Sequence, residues 1–343
     1  MTTYKGINGF AVQSVATDPS PLDEGQVWYN NATYAFKLAA VTTAGTWAAG
    51  GNLNTARSGM AGAGTQTAAL GAGGYIGPHT NATELYNGTT WTNNPTGLGT
   101  ARYQVTGIGT QTAALAVGGN ISGGWPPGGT EKFNGTTWTA NPTGLNTAPR
   151  FGMAGFGTNT AGIVAGGDRY PSPVRESAAT ESFNGSTWTT VNSLNTARGN
   201  VNGAGAAPQT AGLVFGGNAI TLGPNTLNSS ESWNGTSWTT TSSLNTGRRQ
   251  LSGIGTQTAA VAVGGQTTPS APSATGITET WNGTSWATNP NSLGTARYLM
   301  MYGGGGSNTA GLVYGGSAGP SGLSATEEWT GAGAPVTRTI TTS

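Results

Sequence analysis

Apolar residues along this chain fall in short runs separated by clusters of Gly, Thr, Asn and Gln, and no run carries the 3.6-residue period of an amphipathic helix. Short strands joined by tight turns are the expectation. Residues 98–138 hold the unit in full. A first strand is predicted over 104–109 and a second over 113–118, joined across a T-Q-T turn. The second, A-A-L-A-V-G, is aliphatic throughout, as a strand covered on both faces would be. A third strand over 130–133 and a fourth over 136–140 flank Asn134-Gly135. Asn-Gly between two such runs predicts a type I′ hairpin, which needs positive φ at both central residues. The same dipeptide stands at Asn87-Gly88, Asn184-Gly185, Asn234-Gly235 and Asn282-Gly283.

Five further copies fill most of the chain, and four landmarks align them. These are an arginine (Arg57, Arg102, Arg150, Arg198, Arg248, Arg297), a Gly-Gly pair after the second strand, a glutamate (Glu84, Glu131, Glu181, Glu231, Glu279, Glu327) and a closing tryptophan. The tryptophans are Trp91, Trp138, Trp188, Trp238 and Trp286; the sixth copy has none there. The arginines recur every 45 to 50 residues. Four antiparallel strands at that period predict an all-β fold, a β-propeller of six four-stranded blades, in which radial repetition leaves only short edges. Its sixth blade needs a fourth strand. Gly45-Thr46-Trp47 is favoured over residues 336–341, because Trp47 restores the missing tryptophan. A seventh blade built from residues 25–50 and the tail is the alternative. Residues 1–50 are assigned to an arm and a β-hairpin around Asn30-Asn31, and residues 51–343 to the propeller.

Charge narrows the partners. With 13 basic and 12 acidic residues among 343, the chain has no broad field to attract nucleic acid or an acidic membrane surface. It has no apolar run long enough to span a membrane and no apolar core of a secretory leader, so neither membrane insertion nor secretion by a leader is expected. Cysteine is absent and His79 is the single histidine, which leaves no Cys/His nucleophile pair and no multi-histidine metal cluster. Apart from the repeated glutamates, the carboxylates are Asp18, Asp23, Glu24, Asp168, Glu176 and Glu328, dispersed along the chain. No catalysis, cofactor or metal is expected.

A residue present in every copy is best read as support for every copy. The six arginines and six glutamates, 12 of the 25 charges, are expected to pair with neighbours or with buried backbone. The recurring aromatics are expected to pack between blades. The inserts between the Gly-Gly pair and the glutamate are where the copies disagree: residues 75–82, 120–129, 168–179, 218–229, 266–277 and 317–325. All leave the same connection and so emerge on one face, the usual place for binding in repeat folds. Tyr75, His79, Trp125, Arg169, Tyr170 and Arg175 are the candidates for stacking and hydrogen bonding to a glycan or protein. Solvated loops, or loops packed on another copy of the chain in a homo-oligomer, are the plain alternative.

The Gly-Gly doublet after an aliphatic strand, an aromatic in the third strand (Tyr86, Phe133, Phe183, Trp233, Trp281, Trp329) and the later tryptophan resemble the kelch motif, whose repeats run near 50 residues. The segment E-G-Q-V-W-Y-N-N-A-T-Y-A-F-K-L-A-A-V, followed by G-T-W-A-A-G-G-N-L-N-T-A-R, resembles the start of kelch-like structural proteins of tailed bacteriophages. There a G-Q-hydrophobic-W-Y-N motif recurs in fibre and other appendage proteins. The resemblance spans essentially the whole chain and implies a non-enzymatic virion protein, made in the host cytoplasm and carried on the extracellular particle. It also implies attachment to other virion proteins through the N-terminal segment, with Trp28, Tyr29, Tyr34 and Phe36 as attachment residues. Host-surface glycan or protein would then be the partner of the displayed loops. Few lysines (Lys5, Lys37, Lys132) and abundant Thr, Asn and Gly suit such a particle. A capsid decoration protein, a lectin-like bacterial surface module and a polysaccharide-degrading propeller enzyme are the alternatives.

Overall fold

The computed structural model describes residues 12–20, 26–41, 44–124, 128–169, 175–219, 226–268, 273–303, 305–333 and 335–340. Among these the chain is all-β, without a helix, and is divided into small sheets. Its contacts form two compact units, residues 46–330 and residues 1–45 together with 331–343. The C-terminal tail therefore groups with the N-terminal segment and not with the repeats, to which the sequence assigned it.

In the larger unit the second copy is representative. Thr106–Thr110, Ala113–Val117, Thr130–Phe133 and Trp138–Ala140 form an antiparallel meander in which Val117 faces both Thr106 and Thr130, and Phe133 faces Trp138. Ala114 to Val117 are fully buried, so the aliphatic second strand is covered on both faces. Neighbouring sheets approach closely at the first strands, where a Cβ on Gly107 would lie 2.3 Å from the Gly62 carbonyl oxygen.

The Asn-Gly loops correct the sequence reading. Only the glycines take positive φ, +94° at Gly88 and +97° at Gly135. The asparagine keeps an ordinary φ and uses its side chain instead: Asn134 Oδ1 accepts from the amides of Thr136 (3.0 Å) and Thr137 (2.8 Å). Each loop is thus four residues long, with the asparagine carbonyl mimicking a turn of backbone.

The sixth copy borrows its outer strand. Thr326–Thr330 pairs antiparallel with Thr46–Ala49, which sets Trp329 opposite Trp47. This is the N-terminal strand expected from the tryptophan series; Pro335–Thr339 instead pairs with Ala35–Val41 in the smaller unit. Tyr302–Gly303 of the sixth copy pairs in parallel with Ala61–Gly64 of the first.

Two sets of hydrogen bonds run through all six copies and return to their start. In the first, each backbone amide donates to a carbonyl in the preceding copy: Gln104 to Gly59 (2.7 Å), Gly152 to Gln104 (3.1 Å), Val201 to Gly152 (3.1 Å), Gln250 to Asn200 (3.0 Å), Leu299 to Gln250 (2.9 Å) and Gly59 to Leu299 (2.6 Å). Gly59, Gln104, Gly152, Asn200, Gln250 and Leu299 all have φ between +46° and +62°. For Gln and Leu this conformation costs on the order of 1–2 kcal/mol each, which the interlocked amides offset. In the second set each indole donates to a hydroxyl in the third strand of the preceding copy. Trp138 reaches Thr83, Trp188 Thr130, Trp238 Thr180, Trp286 Ser230, Trp47 Thr278 and Trp91 Thr326, all within 2.9–3.1 Å. Trp47 fills the sixth place in this series.

The smaller unit has the strand order Gln13–Val15, Val27–Asn30, Ala35–Val41, Pro335–Thr339, and its first pair is parallel, unlike the repeat meanders. Asn30 Oδ1 accepts from the amides of Ala32 and Thr33 and so closes the hairpin. Trp28 is buried and donates its indole to Asp18.

Candidate functional site

The repeated charges are used internally. Each arginine meets the glutamate of its own copy: Arg57–Glu84 at 2.8 Å, Arg102–Glu131 at 2.6 Å, Arg150–Glu181 at 2.5 Å, Arg198–Glu231 at 2.8 Å, Arg248–Glu279 at 3.0 Å and Arg297–Glu327 at 2.9 Å. Arg150 shows the full arrangement. Its other terminal nitrogen donates to the carbonyls of Gly166 and Ala179, at the two ends of the insert, while Glu181 accepts the Asn146 amide. Burial lowers the pKa of these arginines and the facing glutamates oppose that shift. The pairs hold the base of each insert shut.

Variable chemistry begins one step further out. The residue after each arginine pairs with the residue after each Gly-Gly doublet: Ser58 with Tyr75, Tyr103 with Asn120, Phe151 with Asp168, Gly199 with Asn218, Arg249 with Gln266 and Tyr298 with Ser317. Two regions result.

Between the first and second inserts lies an open cleft of about 330 Å³ lined by Tyr75, His79, Tyr103, Asn120 and Ile121. Tyr75 and His79 meet edge to face with ring centres 5.9 Å apart; His79 and Tyr103 lie parallel at 5.9 Å, and Tyr75 and Tyr103 are tilted at 5.6 Å. A tight turn over 75–79, closed by the pairing of Tyr75 with His79 and by the Thr80 amide on Gly74, sets the first two rings. Gly59 admits the third, because a Cβ there would come within 2.4 Å of the Tyr103 ring. His79 Nδ1 and Asn120 Oδ1 are buried and have no hydrogen-bond partner. Burial also lowers the His79 pKa, which favours the uncharged imidazole. The lining thus offers aromatic faces and two unused polar atoms, without a formal charge.

The second region closes inward. Asn200 Oδ1 accepts from Gln104 Nε2 (2.6 Å), Gln250 Nε2 (3.4 Å) and the Tyr302 hydroxyl (3.4 Å). Its amide donates to Asp168 (2.5 Å) and Asn218 (3.0 Å), and Asn218 donates to Glu176 (3.3 Å). Asp168 and Glu176, which look dispersed in sequence, pair across the third insert. Burial raises the Asp168 pKa to about 7; Glu176 adds to the rise, while Arg175, the Asn218 hydrogen bond and Arg249 oppose it.

Of the residues singled out from sequence, Tyr75 and His79 share the cleft. Arg169 and Arg175 belong to the third insert, where the Arg169 amide donates to the Arg175 carbonyl, and they do not line it. Trp125 and Tyr170 lie outside the described residues. In the smaller unit Tyr34 and Phe36 are exposed and Tyr29 half-buried against Phe36, but Trp28 is enclosed and offers no face to a partner. Sequence reasoning passed over Tyr103, Asn120 and Ile121 as contacts. The signal for Tyr103 was its place beside Arg102, a position occupied by Ser, Tyr, Phe, Gly, Arg and Tyr in successive copies.

No protein-family model matches this chain, and no curated protein matches it.

Proposed function

We propose that the chain is a non-enzymatic structural protein of a bacteriophage virion: a six-bladed kelch-like propeller, held on a fibre, tail or neck appendage by its N-terminal segment, whose inserts face host-surface glycan or protein. Support for the propeller comes from the two hydrogen-bond series, each with one member per copy and each returning from the sixth copy to the first. Six members favour six blades over seven, and the parallel edge of the smaller sheet sets it apart from a blade.

One observation carries the functional reading. Among the described residues the exposed large hydrophobics are Val12, Val27, Tyr34, Phe36 and Ile340 in the smaller unit, and Tyr75 and Ile76 in the first insert. The repeated charges are buried and the repeated aromatics are buried or, at Trp47 and Trp138, half-buried, so the exposed apolar side chains are confined to an attachment unit and a loop face, as a displayed adaptor requires. The G-Q-V-W-Y-N motif that carries the phage resemblance leads into the first hairpin strand, Val27–Asn30.

Cryo-electron microscopy of the native particle tests this. The chain is expected on an appendage, attached through the smaller unit. Finding it only free in the host cytoplasm would overturn the assignment.

A further inference from the structure

The cleft between the first and second inserts is specific enough to name a ligand class. Its floor is built by the scaffold: Tyr103 and Asn120 exchange backbone hydrogen bonds at 3.0 and 2.8 Å, and the Gly59 backbone lies against the Tyr103 ring. Its wall is the tight turn that carries Tyr75 and His79. The volume, about 330 Å³, sits at the low end of the roughly 300–1,000 Å³ typical of small-molecule sites.

Three ligand classes can be weighed against this lining. A charged ligand finds no opposite charge among Tyr75, His79, Tyr103, Asn120 and Ile121. A purely apolar ligand would leave His79 Nδ1 and Asn120 Oδ1 buried and unpaired, which native structures avoid. A neutral polyhydroxylated ring meets both demands, because its C–H face covers an aromatic ring while its hydroxyls pair with the two polar atoms once a turn of the His79 and Asn120 side chains brings them to the cleft surface. Asn120 Oδ1 can only accept, so it requires a hydroxyl donor; neutral His79 Nδ1 accepts or donates according to its tautomer.

We propose that this cleft binds one neutral pyranose ring, stacked on Tyr75 and hydrogen-bonded to His79 Nδ1 and Asn120 Oδ1. The assignment rests on the reading of the inserts as a recognition face and specifies what that face recognises. Thr239, exposed on the strand Trp238–Thr241 and outside the cleft lining, supplies the control.

The test is saturation-transfer NMR on the full chain with the methyl glycosides of glucose, galactose, mannose and N-acetylglucosamine, and with methyl glucuronide as the charged comparison. At least one neutral glycoside should receive saturation at its ring C–H protons. Tyr75→Ala and Asn120→Ala should each weaken that binding about tenfold or more, with thermal unfolding confirming that both variants fold, while Thr239→Ala leaves it unchanged. The proposal is overturned if no neutral glycoside binds at tens of millimolar, if the glucuronide alone binds, or if binding survives both cleft variants. Failure here, with the chain still found on an appendage, removes the pyranose site and leaves the virion reading standing. Cleft-dependent binding by a chain absent from particles does the reverse.

Discussion

Asn120 and Asn218 occupy the same step of the repeat, each paired with the residue that follows a buried arginine, yet they open onto opposite environments. Asn120 pairs with Tyr103 and leaves its side-chain oxygen unused beside an open aromatic cleft. Asn218 pairs with Gly199 and is drawn into a buried network with Asn200, Asp168 and Glu176. Two missing side chains account for the divergence. At Gly59 the absence of a Cβ leaves room for the Tyr103 ring, which then holds the first region open. At Gly199 it leaves room for the Asp168 carboxylate, since a Cβ would lie 1.9 Å from Asp168 Oδ1, and the polar groups close over that space. A uniform scaffold can therefore present either a sealed polar plug or an accessible site, and the choice is made by residues adjoining the repeat landmarks.

The largest way to break this comparison is at its most connected member. Asn200 satisfies Gln104, Gln250, Asp168 and Asn218 at once and holds φ at +46°, a conformation asparagine tolerates better than most residues. Asn200→Ala strands several of these buried groups and puts alanine in the left-handed region. The expected loss is about 3–5 kcal/mol of unfolding free energy in denaturant titrations. A loss below about 1 kcal/mol would mean that the plug is not held by hydrogen bonding.

A second effect, spread over about three pH units, separates the regions by pH. Asp168 titrates near pH 7 in the folded chain, against 3.8 as its ordinary value, because burial disfavours the carboxylate more than Arg175, Asn218 and Arg249 favour it. Between about pH 4 and pH 7 the folded state keeps a proton that the unfolded chain has released. Stability from this group is therefore complete below pH 4 and is lost as pH rises toward 7, at up to about 1.4 kcal/mol per unit. Asp168→Asn keeps an acceptor for Asn200 and removes the titration, so its advantage over wild type should grow from pH 4 to pH 7 and then level. Parallel stability curves for the two proteins would refute the assignment.

The sequence made the scaffold legible and the difference between these regions largely illegible. Arg, Glu, Gly-Gly and Trp recur at fixed offsets, so their roles could be read from repetition alone, and the missing sixth tryptophan pointed to Trp47. The turn type did not follow, because Asn134 closes its loop through its side chain and not through its own φ. Tyr75 and His79 stood out as aromatic residues in a segment that does not repeat. Tyr103 and Asn120 did not, because their contact with them depends on which copies become neighbours and on an absent Cβ at Gly59, neither of which a one-dimensional pattern carries. Trp28 misled for a related reason: an aromatic beside an exposed hairpin looks available until Asp18 is seen to engage its indole.

The smallest expected change is the sharpest for the open region. Asn120 Oδ1 makes no hydrogen bond in the fold, so the scaffold gains little from the amide. Replacing a buried, unpaired acceptor with an apolar group of similar size removes a desolvation cost without breaking a bond. Asn120→Leu should therefore unfold within about 0.5 kcal/mol of wild type or be slightly more stable, in contrast to the severe loss at Asn200. The same variant should weaken glycoside binding about tenfold or more, which would show stability and recognition drawing on different atoms of one side chain. If Asn120→Leu instead costs more than about 1 kcal/mol, the amide is part of the scaffold's own hydrogen bonding, and the contrast between an open and a sealed region fails at this residue.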